Sequence, residues 1–286
     1  MKEFAFQDET RRGTLRRLDY TGAQGARKYA MVYLPYGYDD EPGRRYDILY
    51  LMHGGGGNPD SWLDSCLFKN MLDHSFAAGE AEPMMVVFPS FYLDGPRRSD
   101  GINEAFEHGS VLTFQKEELT QCLLPAVEGV FRGYAEGTSP EQLQRARGHR
   151  GFGGFSMGCV NTWYAFSLNL AYFSVFLPLS GDSWALGVKG GSAHPAQTAA
   201  LLRESAEALG FGPEDFRIYA ATGTEDIAYP NLTPQIAAMR AQGDFFRFSA
   251  DYGKGNLHYL LGEGMEHTYD AVLQYTYNYL PYLFRG

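Results

Sequence analysis

Gly151-Phe152-Gly153-Gly154-Phe155-Ser156-Met157-Gly158 runs from a short, apolar, glycine-rich stretch directly into a segment, 157–168, with the composition of a helix. Inside it, Gly154-Phe155-Ser156-Met157-Gly158 is a G-x-S-x-G pattern. A glycine-rich chain produces such patterns by chance, so the context decides the reading. A strand before and a helix after are what a nucleophile elbow requires, in which a serine is presented on a strained turn. Side chains two positions to either side of that serine would collide with the neighbouring strand and helix, and glycine avoids both collisions. The turn also sets Ser156 at a helix N-terminus, where the amide dipoles favour developing negative charge. The competing reading is a glycine-rich turn carrying an inert serine.

Outward from this turn the chain alternates strand-like and helix-like segments. Strands are predicted at 28–34, 46–52, 84–88, 151–155, 175–179, 217–221 and 257–261, and helices at 62–78, 157–168, 195–209, 234–242 and 268–283. Phe114, Leu119, Leu123, Val127 and Phe131 form a further apolar stripe, with a kink expected at Pro125. The run 84–88 is continuously apolar, as in a strand buried on both faces. Such alternation implies an α/β fold, a mostly parallel central sheet with helices on both faces. No linker, repeat or composition shift divides the chain, so a single domain over 1–286 is expected. Two connections, 90–112 and 181–194, lack periodicity and read as functional loops.

Composition narrows the partners. Lys plus Arg total 24 against 34 Asp plus Glu, a net charge of −10 with no offsetting basic run, which argues against nucleic acid. No apolar stretch approaches the ~20 residues of a membrane helix. The first twenty residues carry Lys2, Glu3, Arg11, Arg12, Arg16 and Arg17 and no signal-peptide core. The expectation is a cytoplasmic protein as numbered, or a secreted one if a leader has been removed. Cys66, Cys122 and Cys159 have no metal-ligand spacing and read as buried free thiols. Aromatic residues reach 15%, which fits a sugar- or aryl-binding pocket and a bulky core equally well.

His53-Gly54-Gly55-Gly56-Gly57 follows the strand at 46–52. Glycines there let backbone N–H groups approach a ligand, and acyl transfer needs two such donors aimed at the tetrahedral oxyanion. The candidates are the amides of Gly55 and of Met157, the residue after the serine, with His53 orienting the loop. A phosphate cradle is the rival, but no Gly-Lys-Ser/Thr follows. A serine hydroxyl needs a base. In the chain order of this fold that base lies near the C-terminus, leaving His258 and His267. His258 begins a strand, whereas His267 sits in a turn-rich segment at a strand's carboxyl end, where ligand sites form. For the acid that orients the imidazole, Asp226 follows the strand at 217–221. Asp182 is the rival one strand earlier, and Glu225 is adjacent.

These residues carry a resemblance. Val32-Tyr33-Leu34-Pro35-Tyr36-Gly37-Tyr38 and Leu49-Tyr50-Leu51-Met52-His53-Gly54-Gly55-Gly56 resemble the feruloyl and acetylxylan esterases of carbohydrate esterase family one. So do three further blocks, at 154–158, Gly223-Thr224-Glu225-Asp226 and Gly264-Met265-Glu266-His267. The resemblance spans residues 27–284 and departs at 134–147 and at Gly181-Asp182-Ser183-Trp184. It implies an esterase-D-like α/β-hydrolase fold, a Ser156–Asp226–His267 triad and oxyanion amides at Gly55 and Met157. No metal or organic cofactor is implied. The expected substrate is a small-molecule or oligosaccharide ester, foremost a hydroxycinnamoyl ester of plant cell-wall xylan. Acetylxylan or S-formylglutathione-type esterases are the enzymatic alternative, and an inactive carbohydrate-binding relative is the non-enzymatic one. An aryl acid needs a flat apolar slot, for which Phe91, Tyr92 and Trp184 are the candidate walls.

Overall fold

The computed structural model describes residues 11–95 and 103–284. Lys2, Glu3 and part of the 90–112 connection lie outside the described residues. Among the described residues, eight strands form one sheet: β1 (Thr14–Thr21), β2 (Arg27–Leu34), β3 (Ile48–Met52), β4 (Met85–Phe88), β5 (Arg150–Phe155), β6 (Val175–Leu179), β7 (Arg217–Gly223) and β8 (Leu257–Gly262). Their order is β1-β2-β4-β3-β5-β6-β7-β8. β4, β3 and β5 to β8 pair in parallel, while β1–β2 and β2–β4 are antiparallel. This is the mostly parallel sheet of the α/β-hydrolase fold.

The pleat sorts each central strand between two cores. Ile48, Tyr50 and Met52 of β3 point into one, and Leu49 and Leu51 point into the other. The first core is covered by α3 (Glu104–Thr113), α4 (Leu124–Glu128), α6 (Met157–Asn169), α8 (Pro195–Ala208) and α9 (Tyr229–Ala241). The second is covered by α1 (Ser61–Ser65), α2 (Phe68–Ala77) and α10 (Tyr269–Tyr279). Helices therefore cover both faces, and every residue of β3, β4, β5 and β6 is buried. Two short helices, α5 (Pro140–Arg145) and α7 (Gly190–Ala193), lie in connections.

Several elements differ from the sequence reading. β1 carries alternating inward residues only at Leu18 and Tyr20, among charged neighbours, so its period-2 signal is weak. The helix expected at 62–78 is two helices, because Cys66 between them is extended (φ −155°, ψ 174°). α3 lies in a connection that had no visible periodicity. It continues through a π-helical stretch, Phe114–Leu123, into α4. There the Leu124 N–H donates to the Leu119 carbonyl, and Pro125, lacking an N–H, falls where the wide ladder ends. All three cysteines are free, but only Cys159 is buried, with Cys66 and Cys122 half-buried.

Candidate active site

Because β3 and β5 to β8 are parallel, the loops after them emerge on one side of the sheet, and each candidate block sits on one of those loops. After β5, Ser156 adopts φ 57°, ψ −114°, a positive-φ conformation that costs a non-glycine residue of order 1–3 kcal/mol. Close packing imposes the flanking glycines. A Cβ on Gly158 would stand 2.4 Å from the Met52 carbonyl oxygen at the end of β3. One on Gly154 would stand 2.7 Å from the Gly158 backbone at the start of α6. The Ser156 N–H donates to the Leu179 carbonyl, tying the turn to β6.

The loops after β7 and β8 are bound to each other. Thr224 N–H donates to the Gly262 carbonyl (2.9 Å), Glu225 N–H to the Met265 carbonyl (3.1 Å), and Gly264 N–H to Thr224 Oγ1 (2.8 Å). Gly223 permits the approach, since a Cβ there would lie 1.9 Å from the Met265 carbonyl oxygen. This clamp brings Asp226 Oδ1 to 2.6 Å from His267 Nδ1, and His267 Nε2 to 2.9 Å from Ser156 Oγ. The imidazole also packs on Phe155, ring centroids 4.5 Å apart. Burial opposes ionisation of Asp226. Hydrogen bonds from His267 and the Ala228 amide outweigh it and hold the carboxyl below its usual range.

The rival residues are placed elsewhere. Asp182 is buried, accepts from Trp184 Nε1 (3.2 Å) and from the Ser192 amide (3.2 Å), and so braces the 181–194 connection. Burial raises its carboxyl above the usual range despite those bonds. Glu225 is exposed. His258 is fully buried, bonded through Nδ1 to the Ser249 carbonyl (2.9 Å) and stacked on Tyr219.

In the glycine loop, His53 Nδ1–H donates to the Gly54 carbonyl (2.7 Å), and His53 Nε2 accepts from Ser90 Oγ (2.9 Å). The Gly57 N–H donates to the same carbonyl. A trans peptide sets its C=O and N–H antiparallel, so pinning the Gly54 oxygen also aims the Gly55 N–H. The Met157 N–H, in the first turn of α6, has no intrahelical acceptor. Burial pushes the His53 imidazole down to about 4, against the hydrogen bond to Gly54. An unfolded chain regains a value near 6.5, so this contribution to stability is whole above about pH 6.5 and is lost progressively toward pH 4. Between pH 7 and pH 5 the urea-unfolding free energy should fall by about 2 kcal/mol more in the wild type than in His53→Asn. Equal pH slopes in the two proteins would contradict a neutral, buried His53.

Ser156 and His267 open on a cleft of about 550 Å³, whose walls include Met157, Val160, Trp184, Ile227, Ala228 and Asn231. Lys189 and Glu104 also line it and form an ion pair at 2.8 Å. Trp184 thus stands where an aryl slot was expected, but Phe91 and Tyr92 do not. Both are buried and packed on the His53 ring, at centroid distances of 4.8 and 5.6 Å, because β4 ends behind the glycine loop. The sequence reading missed Tyr269, whose hydroxyl accepts from the Gly54 N–H (3.2 Å). The only available signal was that a buried tyrosine hydroxyl needs a polar partner.

Known proteins resemble this chain in sequence and in fold. The endo-1,4-beta-xylanase Y of Acetivibrio thermocellus is 40% identical over 268 residues, 93% of this chain and 22% of that protein. An endo-1,4-beta-xylanase/feruloyl esterase of Xylanibacter ruminicola is 27% identical over 167 residues, 56% of this chain and 20% of that protein. The chain spans about a fifth of the length of these curated relatives. A mutant of the feruloyl esterase module from Clostridium thermocellum, complexed with sinapinate, has a TM-score of 0.83 at 37% identity, covering 100% of this chain and 92% of that one. A ferulic acid esterase from Anaeromyces mucronatus, in complex with ferulic acid, shares the fold at 16% identity and a TM-score of 0.70, covering 99% of this chain and 96% of that one. The family model described as "Putative esterase" matches residues 23–260, most of the chain, and this protein belongs to that esterase family.

Proposed function

We propose that the protein is a serine esterase that releases hydroxycinnamic acids from esters on cell-wall xylan fragments. The observation that carries this reading is the hydrogen-bonded run Asp226–His267–Ser156, opening on a cleft walled by Trp184. Similarity to a feruloyl esterase module seen with sinapinate, and to a xylanase, supports the acyl group and the alcohol. Ser156 Oγ attacks the ester carbonyl as His267 Nε2 takes its proton. Asp226 holds the imidazole tautomer and stabilises its charge, and the Gly55 and Met157 amides hold the oxyanion. As the bond from the carbonyl carbon to the sugar oxygen breaks, His267 gives that oxygen its proton so that it leaves as a hydroxyl, and afterwards His267 activates the water that frees the acid from Ser156.

The test is an ester panel on purified protein, with a fluorophosphonate probe as reporter of an activated serine. Methyl ferulate should be hydrolysed with kcat/KM well above that of small acetyl esters. Trp184→Ala should lower the ferulate value about fivefold or more, while acetyl esters change little, since one aromatic contact is worth ~1 kcal/mol beyond area burial. A preference for acetyl esters, or equal losses on both substrates, would favour the small-acyl alternative. Absence of probe labelling would favour an inactive carbohydrate-binding relative.

A further inference from the structure

The glycine loop is gripped by two tyrosine hydroxyls, one at each end. Tyr269 OH accepts from the Gly54 N–H at 3.2 Å, and Tyr92 OH accepts from the Gly56 N–H at 2.7 Å. Tyr92 donates its own proton to the carboxylate of Glu107, with both oxygens at 2.6–2.7 Å. Tyr92 and Glu107 are each 2% exposed, so this contact is made away from water. Glu107 lies on α3, and Tyr92 lies four residues beyond the end of β4, after Ser90 and Phe91.

We infer that Glu107 is a positioning residue for the oxyanion hole, acting through Tyr92 on the glycine loop. The inference rests on the acyl-transfer reading above. The Gly56 N–H belongs to the peptide plane that joins Gly55 to Gly56, and anchoring it sets the rotation about the Gly55 Cα–C bond. The plane on the other side is held through the Gly54 carbonyl, by His53 and Gly57. Between them these contacts leave the Gly55 N–H one direction, in a segment with no Cβ to restrict it. The carboxylate adds a second effect. A phenol that donates to an anion becomes a stronger acceptor, so Glu107 tightens the hold of Tyr92 on Gly56. An oxyanion donor acts through its fixed aim at the transition state, so loosening it reduces kcat more than substrate binding.

The experiment compares Tyr92→Phe, Glu107→Gln and Glu107→Leu with the wild type on methyl ferulate. A phenylboronic acid, which forms a tetrahedral adduct on the serine, and free ferulate serve as transition-state and ground-state probes. Tyr92→Phe removes a single oxygen and should lower kcat about tenfold with KM within about twofold, a fraction of the 10²–10³ that loss of a whole donor costs. Boronate affinity should fall by a similar factor and ferulate affinity should hold. Glu107→Leu should match or exceed that loss, whereas Glu107→Gln, whose Oε1 still accepts from Tyr92, should stay within about threefold of wild type. Wild-type kcat in Tyr92→Phe, or losses shared equally by kcat, boronate and ferulate, would overturn the inference. If Glu107→Leu does not fold, Tyr92→Phe and Glu107→Gln decide the matter alone. A wild type inert to esters and to a fluorophosphonate probe would instead overturn the acyl-transfer reading, so the two failures are distinguishable.

Discussion

Ser156→Ala should reduce kcat on methyl ferulate by on the order of 10⁴-fold or more while leaving the thermal unfolding midpoint unchanged or slightly raised. In the proposed mechanism the side chain removed is the attacking group, and the path that remains is water attack assisted by the oxyanion donors alone. Alanine keeps the Cβ, so the packing of Gly154 against α6 and of Gly158 against β3 is undisturbed. The positive φ at position 156 remains strained with alanine, as with serine. His267→Ala should lose on the order of 10³-fold or more, because the base that faces Ser156 at 2.9 Å is gone. Asp226→Asn should cost less than either, since that side chain orients and does not react. Asp182→Asn should leave the chemical step far less affected, because its carboxylate bonds Trp184 and Ser192, not His267. A larger loss from Asp182→Asn than from Asp226→Asn would refute the assignment of the acid.

The second large effect is on stability and lies outside the cleft. Lys28 Nζ sits 2.6 Å from Glu118 Oε1, with side chains 4% and 0% exposed. It also donates to the Ser90 carbonyl at 2.7 Å, and Tyr20 OH donates to the same Glu118 oxygen. Burial pushes the Lys28 amine below its usual range, with Glu118 opposing that shift. Lys28→Met keeps the apolar stem but strands a buried carboxylate, a change that costs about 3–5 kcal/mol. The double variant Lys28→Met/Glu118→Leu should recover more than half of that loss, because neither charge then needs a partner. Urea unfolding measures both. A single variant that loses under ~1 kcal/mol would show that the pair is solvated. The loss should also reach the glycine loop, since Ser90 carries both the carbonyl that holds Lys28 and the hydroxyl that holds His53 Nε2.

How far the fold was legible follows from the range of each signal. Continuous apolar runs such as 175–179 matched their strand limits, since a strand buried on both faces admits few polar residues. β1 was not legible because an edge strand with two inward side chains scarcely differs from a charged loop. α3 was obscured because its buried positions include Glu107, a residue type that hydropathy assigns to the surface. Its burial is explained by the hydroxyl of Tyr92, fifteen positions away along the chain.

The elbow and the placement of Ser156 were legible in the sequence alone, because the strand-to-helix turn and the contact of Gly154 with Gly158 act within five residues, whereas the reason for Gly158 itself, the Met52 carbonyl of β3, is tertiary. Chain order and strand ends likewise brought forward His267 and a short list of carboxylates. Which carboxylate meets the imidazole was decided only by tertiary structure. That choice depends on β7–β8 register and on Gly223 admitting the Met265 carbonyl, a contact between residues 42 positions apart. The aromatic residues divide in the same way. Trp184, Phe91 and Tyr92 look alike as apolar residues just past a strand. The loop after β6 turns Trp184 toward Ser156, whereas the chain leaving β4 passes behind the glycine loop and stacks Phe91 and Tyr92 on His53. Side-chain type and periodicity are local properties of a chain. The direction a loop takes is set by the packing it meets, and only the folded protein contains that packing.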